Sequence, residues 1–434
     1  MRPVIRPALA GVLVLMVSGG CAGAPAPVDG ARAAEAAYVA CAEERGVTVA
    51  GVDIGPDTFD VRFAGDPPRA AVAALRRHCE PQALAVLEGG AQRAASQGPG
   101  ATAPSAARDQ AAAPVPPEGI TDADGYVAHL AAQGFTGALL VTRGGDTAVR
   151  TALGLADRGG AVPNTVDTAF DIGSIAKTFT AAAVLGLVDD GALALDDTLG
   201  ALLADVPADK RGITVRQLLD FTSGLGEYHD TDGDFEVMSR RQALQRILAQ
   251  DLRFAPGTDT AYSNSSYTLA AIIVEEVTGR DFSDVVGDLF AMARLRDTGF
   301  YGSAALRETP VATGYEGDRH GRNDPASWAP TWALLGAGGI ASTIDDVHRW
   351  WRALQEPGLL RPESVRVLAA ALPAQPLGGM EVRGVGGTND FGFDAAVLEI
   401  VGDETVIVVL SNGNPPDRSI ASDAAVVLAQ LLAR

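Results

Sequence analysis

Apolar positions recur along the chain in blocks whose spacing alternates between helix-like and strand-like. Residues 34–44 have helical spacing, 47–52 and 59–63 alternate as short strands, and 68–78 return to helical spacing. From 88 to 117 large apolar side chains almost vanish, while Ala, Gly, Pro, Ser and Gln dominate, which predicts a flexible or extended linker. Apolar runs resume at 135–142 and 147–156. Arg143-Gly144-Gly145-Asp146 separates them, so the pair reads as a hairpin. A helical period covers 174–188 and stops at Asp189-Asp190-Gly191, where glycine can take the left-handed cap. Another helix is expected from near Ser266. Residues 395–401 and 405–410 alternate as strands, and a last helix covers 420–432. Strands at both ends of 118–434, with helices between them, predict an α+β fold whose terminal strands share one sheet.

Composition narrows this picture. The 434 residues carry 54 acidic against 34 basic side chains, a net charge of −20, which argues against a nucleic-acid partner. With 47% hydrophobic residues the chain has enough apolar surface for a sizeable core. Only Lys177 and Lys210 are lysines; the other cations are arginines. At the start, Arg2 and Arg6 precede an apolar run over 8–17 that is too short to span a bilayer. Ser18, Gly19 and Gly20 then lead into Cys21. This layout resembles a bacterial lipoprotein signal over 1–20, with Cys21 as lipid anchor holding the protein at the outer face of a membrane. Cleavage nearby to give an ordinary secreted protein is the alternative. Residues 31–87 read as a small α/β module with little core of its own. Cys41 and Cys79 fall on its two predicted helices, and an exported context permits a disulfide between them, worth roughly 3–4 kcal/mol. Two buried free thiols are the other reading.

The chemistry concentrates in 118–434. Ser174 opens a predicted helix, where backbone N–H groups and the positive dipole end favour a developing anion. Lys177 follows one turn later on the same face. A desolvated neutral amine can take a serine proton, whereas arginine does not deprotonate. Further on, Pro256-Gly257 makes a turn before Tyr262-Ser263-Asn264. In an extended segment Tyr262 and Asn264 point the same way. A phenol beside an ammonium group can have a lowered pKa and relay a proton, and the Asn264 amide offers both donor and acceptor.

Taken together, these motifs resemble the serine β-lactamase and penicillin-binding-protein superfamily, in its class C and esterase-like branch. Further support comes from the hairpin segments 137–141 and 154–157, from Leu218-Leu219-Asp220-Phe221-Thr222-Ser223-Gly224-Leu225, and from Gly338-Gly339-Ile340-Ala341-Ser342-Thr343 with Asp346. Phe221 stands where the family usually has His. The resemblance implies a five-stranded antiparallel sheet flanked by helices, a helical subdomain, and a site at their junction. It implies Ser174 as acylated nucleophile, Lys177 and Tyr262 as the proton-transfer pair, Asn264 as a contact to substrate and lysine, and the Ser174 N–H as an oxyanion donor. The family's third motif, Lys or His followed by a variable residue and Gly, finds its best match in Val385-Gly386-Gly387-Thr388. Gly386 and Gly387 let a substrate approach the strand, and the Thr388 N–H can complete the oxyanion hole. Val385 cannot attract a carboxylate; Arg383, two positions earlier, is a candidate substitute cation on strand geometry.

Other candidates are weaker. His78, His129, His229, His320 and His348 lack metal-ligand spacing, and no metal or cofactor is called for. Asp230-Thr231-Asp232-Gly233-Asp234 lacks the glycine position and later Glu of a calcium loop and reads as a solvated acidic turn. Of Trp350 and Trp351, one ring is expected in the core and one partly exposed. The expected function is an exported, membrane-tethered serine hydrolase forming an acyl-enzyme on a small-molecule or peptide ester or amide. A neutral acyl group is favoured over a β-lactam. The alternative is a catalytically idle relative that binds cell-wall or lipid ligands.

Overall fold

The computed structural model describes residues 28–43, 45, 47–54, 59–63, 79, 113–228, 234, 236–315, 323–413 and 419–433. The chain divides into two compact units that meet along the sequence at residues 112 and 113. In the first, α1 (Val28–Glu43) begins earlier than its apolar spacing suggests. Val47, expected in a strand, instead donates its amide to the Ala42 carbonyl and closes the helix. The ladder therefore starts later, with β1 (Val49–Ile54) antiparallel to β2 (Phe59–Phe63). A disulfide joins Cys41 to Cys79 with both residues buried. Cys21, the expected signal segment 1–20, most of the linker and the expected helix over 68–78 lie outside the described residues.

The second unit is built on one antiparallel sheet. Helix α2 (Ala123–Ala132) starts where the Asp122 side chain accepts the Gly125 amide. Then β3 (Gly137–Arg143) and β4 (Asp146–Leu153) form the expected hairpin. Gly144 and Gly145, both at positive φ, make its two-residue turn. A small three-stranded sheet, β5 (Phe170–Asp171), β7 (Ile340–Ser342) and β6 (Gly299–Phe300) in that spatial order, frames the middle of the chain. The late strands are β8 (Gln375–Leu377), β9 (Met380–Thr388), β10 (Asp394–Ile400) and β11 (Thr405–Ser411). The main sheet runs β8-β9-β10-β11-β3-β4, so the two ends of the segment do share it, with Leu410 opposite Ala138. It has six strands rather than five, because the three-residue β8 adds an edge beside β9.

Alternate residues of the central strands feed two cores. Leu139, Val141, Ile407 and Val409 pack toward α2 and the last helix, α7 (Ile420–Leu432). Ala138, Leu140, Val408 and Leu410 belong to the larger core, shared with α3 (Lys177–Asp189), α4 (Asn264–Thr278), α5 (Phe282–Met292) and α6 (Ile344–Ala353). Trp350 stacks on Phe179 at 3.9 Å between ring centres and donates Nε1–H to Thr178 Oγ1. Trp351 is buried as well, against the expectation of partial exposure. Its indole N–H has a partner inside, the Glu399 carboxylate at 3.2 Å, so burial leaves no unpaired donor.

Candidate active site

Ser174 does not open a regular α-helix. It sits in a 3-10 turn, Gly173–Ala176, that runs into α3. Gly173 has φ +48°, and its amide donates to Asp171 Oδ1 at 2.6 Å. The turn lies against β9. A Cβ on Gly387 would run into the Ile172 carbonyl and the Ser174 amide nitrogen, and one on Gly173 would stand 2.9 Å from the Thr388 nitrogen. The glycine in the third motif therefore serves first to let the turn pack on the strand.

Lys177 is the first residue of α3 and is almost fully buried, at 5% exposure. Its Nζ stands 2.9 Å from Ser174 Oγ, 2.7 Å from Asn264 Oδ1 and 3.0 Å from the Ala337 carbonyl. It also lies 4.7 Å from the centre of the Tyr262 ring. Burial pulls its pKa down to about 7, although the Glu227 and Asp234 carboxylates pull the other way. A neutral amine has two N–H donors and one lone pair. Asn264 Oδ1 and the Ala337 carbonyl can only accept, so the lone pair is left for the Ser174 hydroxyl. This arrangement suits proton acceptance from serine.

Tyr262 OH lies 2.5 Å from Ser174 Oγ and 3.2 Å from Asn264 Oδ1. Burial pushes its pKa up, opposite to the lowered value expected, with the Ser174 hydrogen bond opposing in part. The phenol is thus a proton holder at neutral pH. The segment is not extended through Asn264. Ser263 caps α4 by accepting the Ser266 amide, and Asn264 is the first helical residue. The Asn264 amide donates to Glu227 Oε1 at 2.9 Å. Phe221 packs its ring 5.1 Å from that of Tyr262 and 5.2 Å from that of Tyr267. It does so at φ +61°, a strained conformation for a bulky side chain, and its carbonyl accepts the Ala261 amide.

Val385 shares a strand face with Gly387, toward the serine turn, and packs against the large core. Gly386 faces α7: a Cβ there would meet Ser422 Oγ at 3.1 Å. Arg383 shares the strand face of Val385 and lies directly opposite Glu399 in the β9–β10 register, with its Nε buried and without a hydrogen-bond partner among the described residues. The structure thus brings together Ser174, Lys177, Tyr262, Asn264 and the backbone of Gly387 and Thr388. Sequence reasoning missed the Ala337 carbonyl, the Glu227 cap and the aromatic wall. Ala337 immediately precedes the Gly338-Gly339 block, and that adjacency was the available signal. Among the described residues no cluster of His, Cys, Asp or Glu could hold a metal ion, and no helix is long and apolar enough to cross a membrane. His348 contacts Thr142 and His129 stacks on Tyr126, while Asp230, Asp232, His78, His229 and His320 lie outside the described residues.

Residues 123–432 match the sequence profile of the family described as Beta-lactamase. The chain belongs to the beta-lactamase family. Within this beta-lactamase family, it is 30% identical over 289 residues to a D-aminopeptidase of Brucella anthropi, which covers 61% of this chain and 54% of the relative. The chain therefore spans about half the length of the curated relatives it matches. Among solved structures it is similar to the octameric penicillin-binding protein homologue from Pyrococcus abyssi, with a TM-score of 0.62 and 21% identity. That likeness covers 72% of this chain and 77% of the other. The D-amino acid amidase from Ochrobactrum anthropi SV3 gives a TM-score of 0.61 at 21% identity, over 70% of this chain and 96% of its own. At such identities these likenesses establish the fold, the β-lactamase/transpeptidase-like α+β architecture.

Proposed function

We propose that this chain is a serine hydrolase that forms an acyl-enzyme on an amide or ester whose acyl part carries no carboxylate, with D-amino acid amides and short peptides as the substrate class. The observation that carries this reading is the meeting of three groups: Ser174 Oγ lies 2.9 Å from the Lys177 amine and 2.5 Å from the Tyr262 phenol. In this reading the neutral form of Lys177, accessible near pH 7 because burial lowers its pKa to about 7, takes the Ser174 proton as Oγ attacks the carbonyl carbon. The carbonyl oxygen gains the negative charge and is held by the amides of Ser174 and Thr388. Collapse of the tetrahedral species breaks the bond to the leaving amine or alcohol, which takes a proton from Tyr262, and Lys177 returns one to the phenol. Water then attacks the acyl-enzyme by the same route, and Oγ regains its proton.

The substrate class has three supports. Val385 offers no cation for a carboxylate. Glu227 and Asp234 put negative charge near Lys177, which suits a substrate ammonium group. Similar proteins include a D-aminopeptidase and a D-amino acid amidase. Export with lipid attachment at Cys21 is part of the proposal and rests on the N-terminal layout alone. Treatment with a fluorophosphonate followed by intact-mass and peptide mapping should place one adduct on Ser174. D-alanine p-nitroanilide should be cleaved faster than its L-isomer and faster than a β-lactam. Absence of any Ser174 adduct sinks the hydrolase reading, and preference for the β-lactam sinks the substrate class.

A further inference from the structure

Two chain segments meet at the serine turn, and one side-chain hydrogen bond ties them together. Asp171, the last residue of β5, lies three positions before Ser174. Asn389 is the first residue after β9 and follows Thr388 directly. Asp171 Oδ1 accepts the Gly173 amide at 2.6 Å and Asn389 Nδ2–H at 2.7 Å. Asn389 Oδ1 in turn accepts the amides of Phe391 and Phe393, at 3.1 and 3.2 Å, and so shapes the turn from β9 to β10. Asp171 is buried at 1% exposure, and its Oδ2 has no hydrogen-bond partner among the described residues. A buried carboxyl with one oxygen unpaired is costly to keep, and it does nothing for the core that an apolar residue would not do better.

We infer that Asp171 and Asn389 form a clamp that sets the spacing between the Ser174 and Thr388 amides, and that both are positioning residues for the oxyanion. The inference rests on the serine hydrolase reading above. The geometry supports it at both ends: Asp171 fixes the turn that aims the Ser174 amide, and Asn389 fixes the strand end that aims the Thr388 amide. Between them a Cβ on either Gly173 or Gly387 would run into the other segment's backbone, so the two meet with no side chain to act as a spacer. Burial pushes the Asp171 carboxyl up to about 7, against the Gly173 hydrogen bond, with the Asp234 charge adding to the rise. Where that carboxyl holds its proton, it spares the oxyanion a like charge.

The test compares an ester with its thionoester on the full chain, because sulfur accepts hydrogen bonds weakly and an oxyanion hole discriminates against it. Wild type should favour oxygen by about 10²-fold in kcat/KM. Asn389→Asp, assayed at pH 8.5 so that Asp171 is ionised and has no proton to donate back, keeps the acceptor for Phe391 and Phe393 but turns the donor into an oxygen facing Asp171. It should bring the preference to within about fivefold of unity, through kcat with KM nearly constant. Asp171→Ala should act the same way and serves as the second reading if Asn389→Asp is poorly folded by thermal melting. Asp171→Asn retains an Oδ1 acceptor and should retain the oxygen preference. If wild type discriminates and both clamp-breaking variants still do, the clamp is wrong and the hydrolase reading survives. If wild type lacks both discrimination and a Ser174 adduct, the hydrolase reading falls and the clamp falls with it.

Discussion

The two walls of the site are made of different material. On one side stand Lys177, Tyr262 and Asn264, polar side chains each with a named hydrogen-bond partner, with the Phe221 ring against Tyr262 and the Tyr267 ring near Lys177. On the other side β9 presents Val385, Gly386, Gly387 and Thr388, where the chemistry available is that of the backbone. The first wall can move a proton. The second can hold an oxyanion, but offers no charge to a substrate. Reaction and recognition are thus separable here, and changes to either wall should show in different kinetic terms.

The sharpest break is on the side-chain wall. Lys177→Met removes the amine while leaving Ser174 in its turn, and kcat/KM should fall by about 10³-fold. Lys177→Arg should fare no better, since guanidinium does not give up its proton. Steady-state hydrolysis of one ester by both variants checks this; near-wild-type turnover in either would assign the proton to another group. A milder version of the same break needs no mutation. With the Lys177 pKa held near 7 by burial, kcat/KM should rise about tenfold per pH unit below 7 and level off above it. The Tyr262 phenol, pushed up by its own burial, should add no loss before strongly alkaline pH. A flat profile from pH 5 to 8 would contradict the neutral-amine reading.

Recognition is probed from the other wall. Val385→Lys adds a cation on the face that Gly387 shares with the serine turn. It should raise the use of a carboxylate-bearing substrate, such as a D-Ala-D-Ala peptide or a penicillin, by about tenfold relative to a neutral ester. The neutral ester is the internal control. Equal change in both substrates would mean that Val385 acts through packing and not through missing charge.

What was readable beforehand follows the same division. Ser174, Lys177, Tyr262 and Asn264 could be found because each pair sits within a few residues, and local spacing is all a single sequence displays. The terminal strands could be paired because Ile407, Val409, Leu139 and Val141 keep a period of two, and that period survives into the sheet. The Ala337 carbonyl could not be found, since it lies 160 residues from Lys177 and has no side-chain signature. Phe221 was seen only as a departure from a family pattern; its left-handed backbone depends on ring contacts made in the folded state. Trp351 was misjudged because its hidden partner, Glu399, comes from a strand almost fifty residues later. The direction of the Tyr262 shift is hidden for a related reason: spacing alone implies a charged neighbouring amine, whereas burial lowers that amine's pKa to about 7.

A further effect is expected on stability, and it tells the two walls apart by sign. Behind the backbone wall, burial raises the carboxyls of Asp171 and Asp394 to about 7; Asp394 lies opposite Thr388 and accepts the Ala421 amide. In the unfolded chain such groups titrate near 4, so between pH 4 and 7 the folded state holds more protons, and stability falls as pH rises. Lys177 is the reverse. Its pKa drops from about 10.5 to about 7 on folding, so from pH 7 upward the unfolded state holds the extra proton and stability climbs. These three groups therefore place a minimum near pH 7, with each limb no steeper than about 1.4 kcal/mol per pH unit per group. In a domain of this size that amounts to shifts of about 2–4 °C per kcal/mol in melting temperature. Asp394→Asn should flatten the acid limb only, and Lys177→Met the alkaline limb only. Melting curves from pH 4.5 to 9.5 decide it: a melting temperature that rises steadily from pH 4.5 to 7 would mean that neither carboxyl is held in its acid form by the fold.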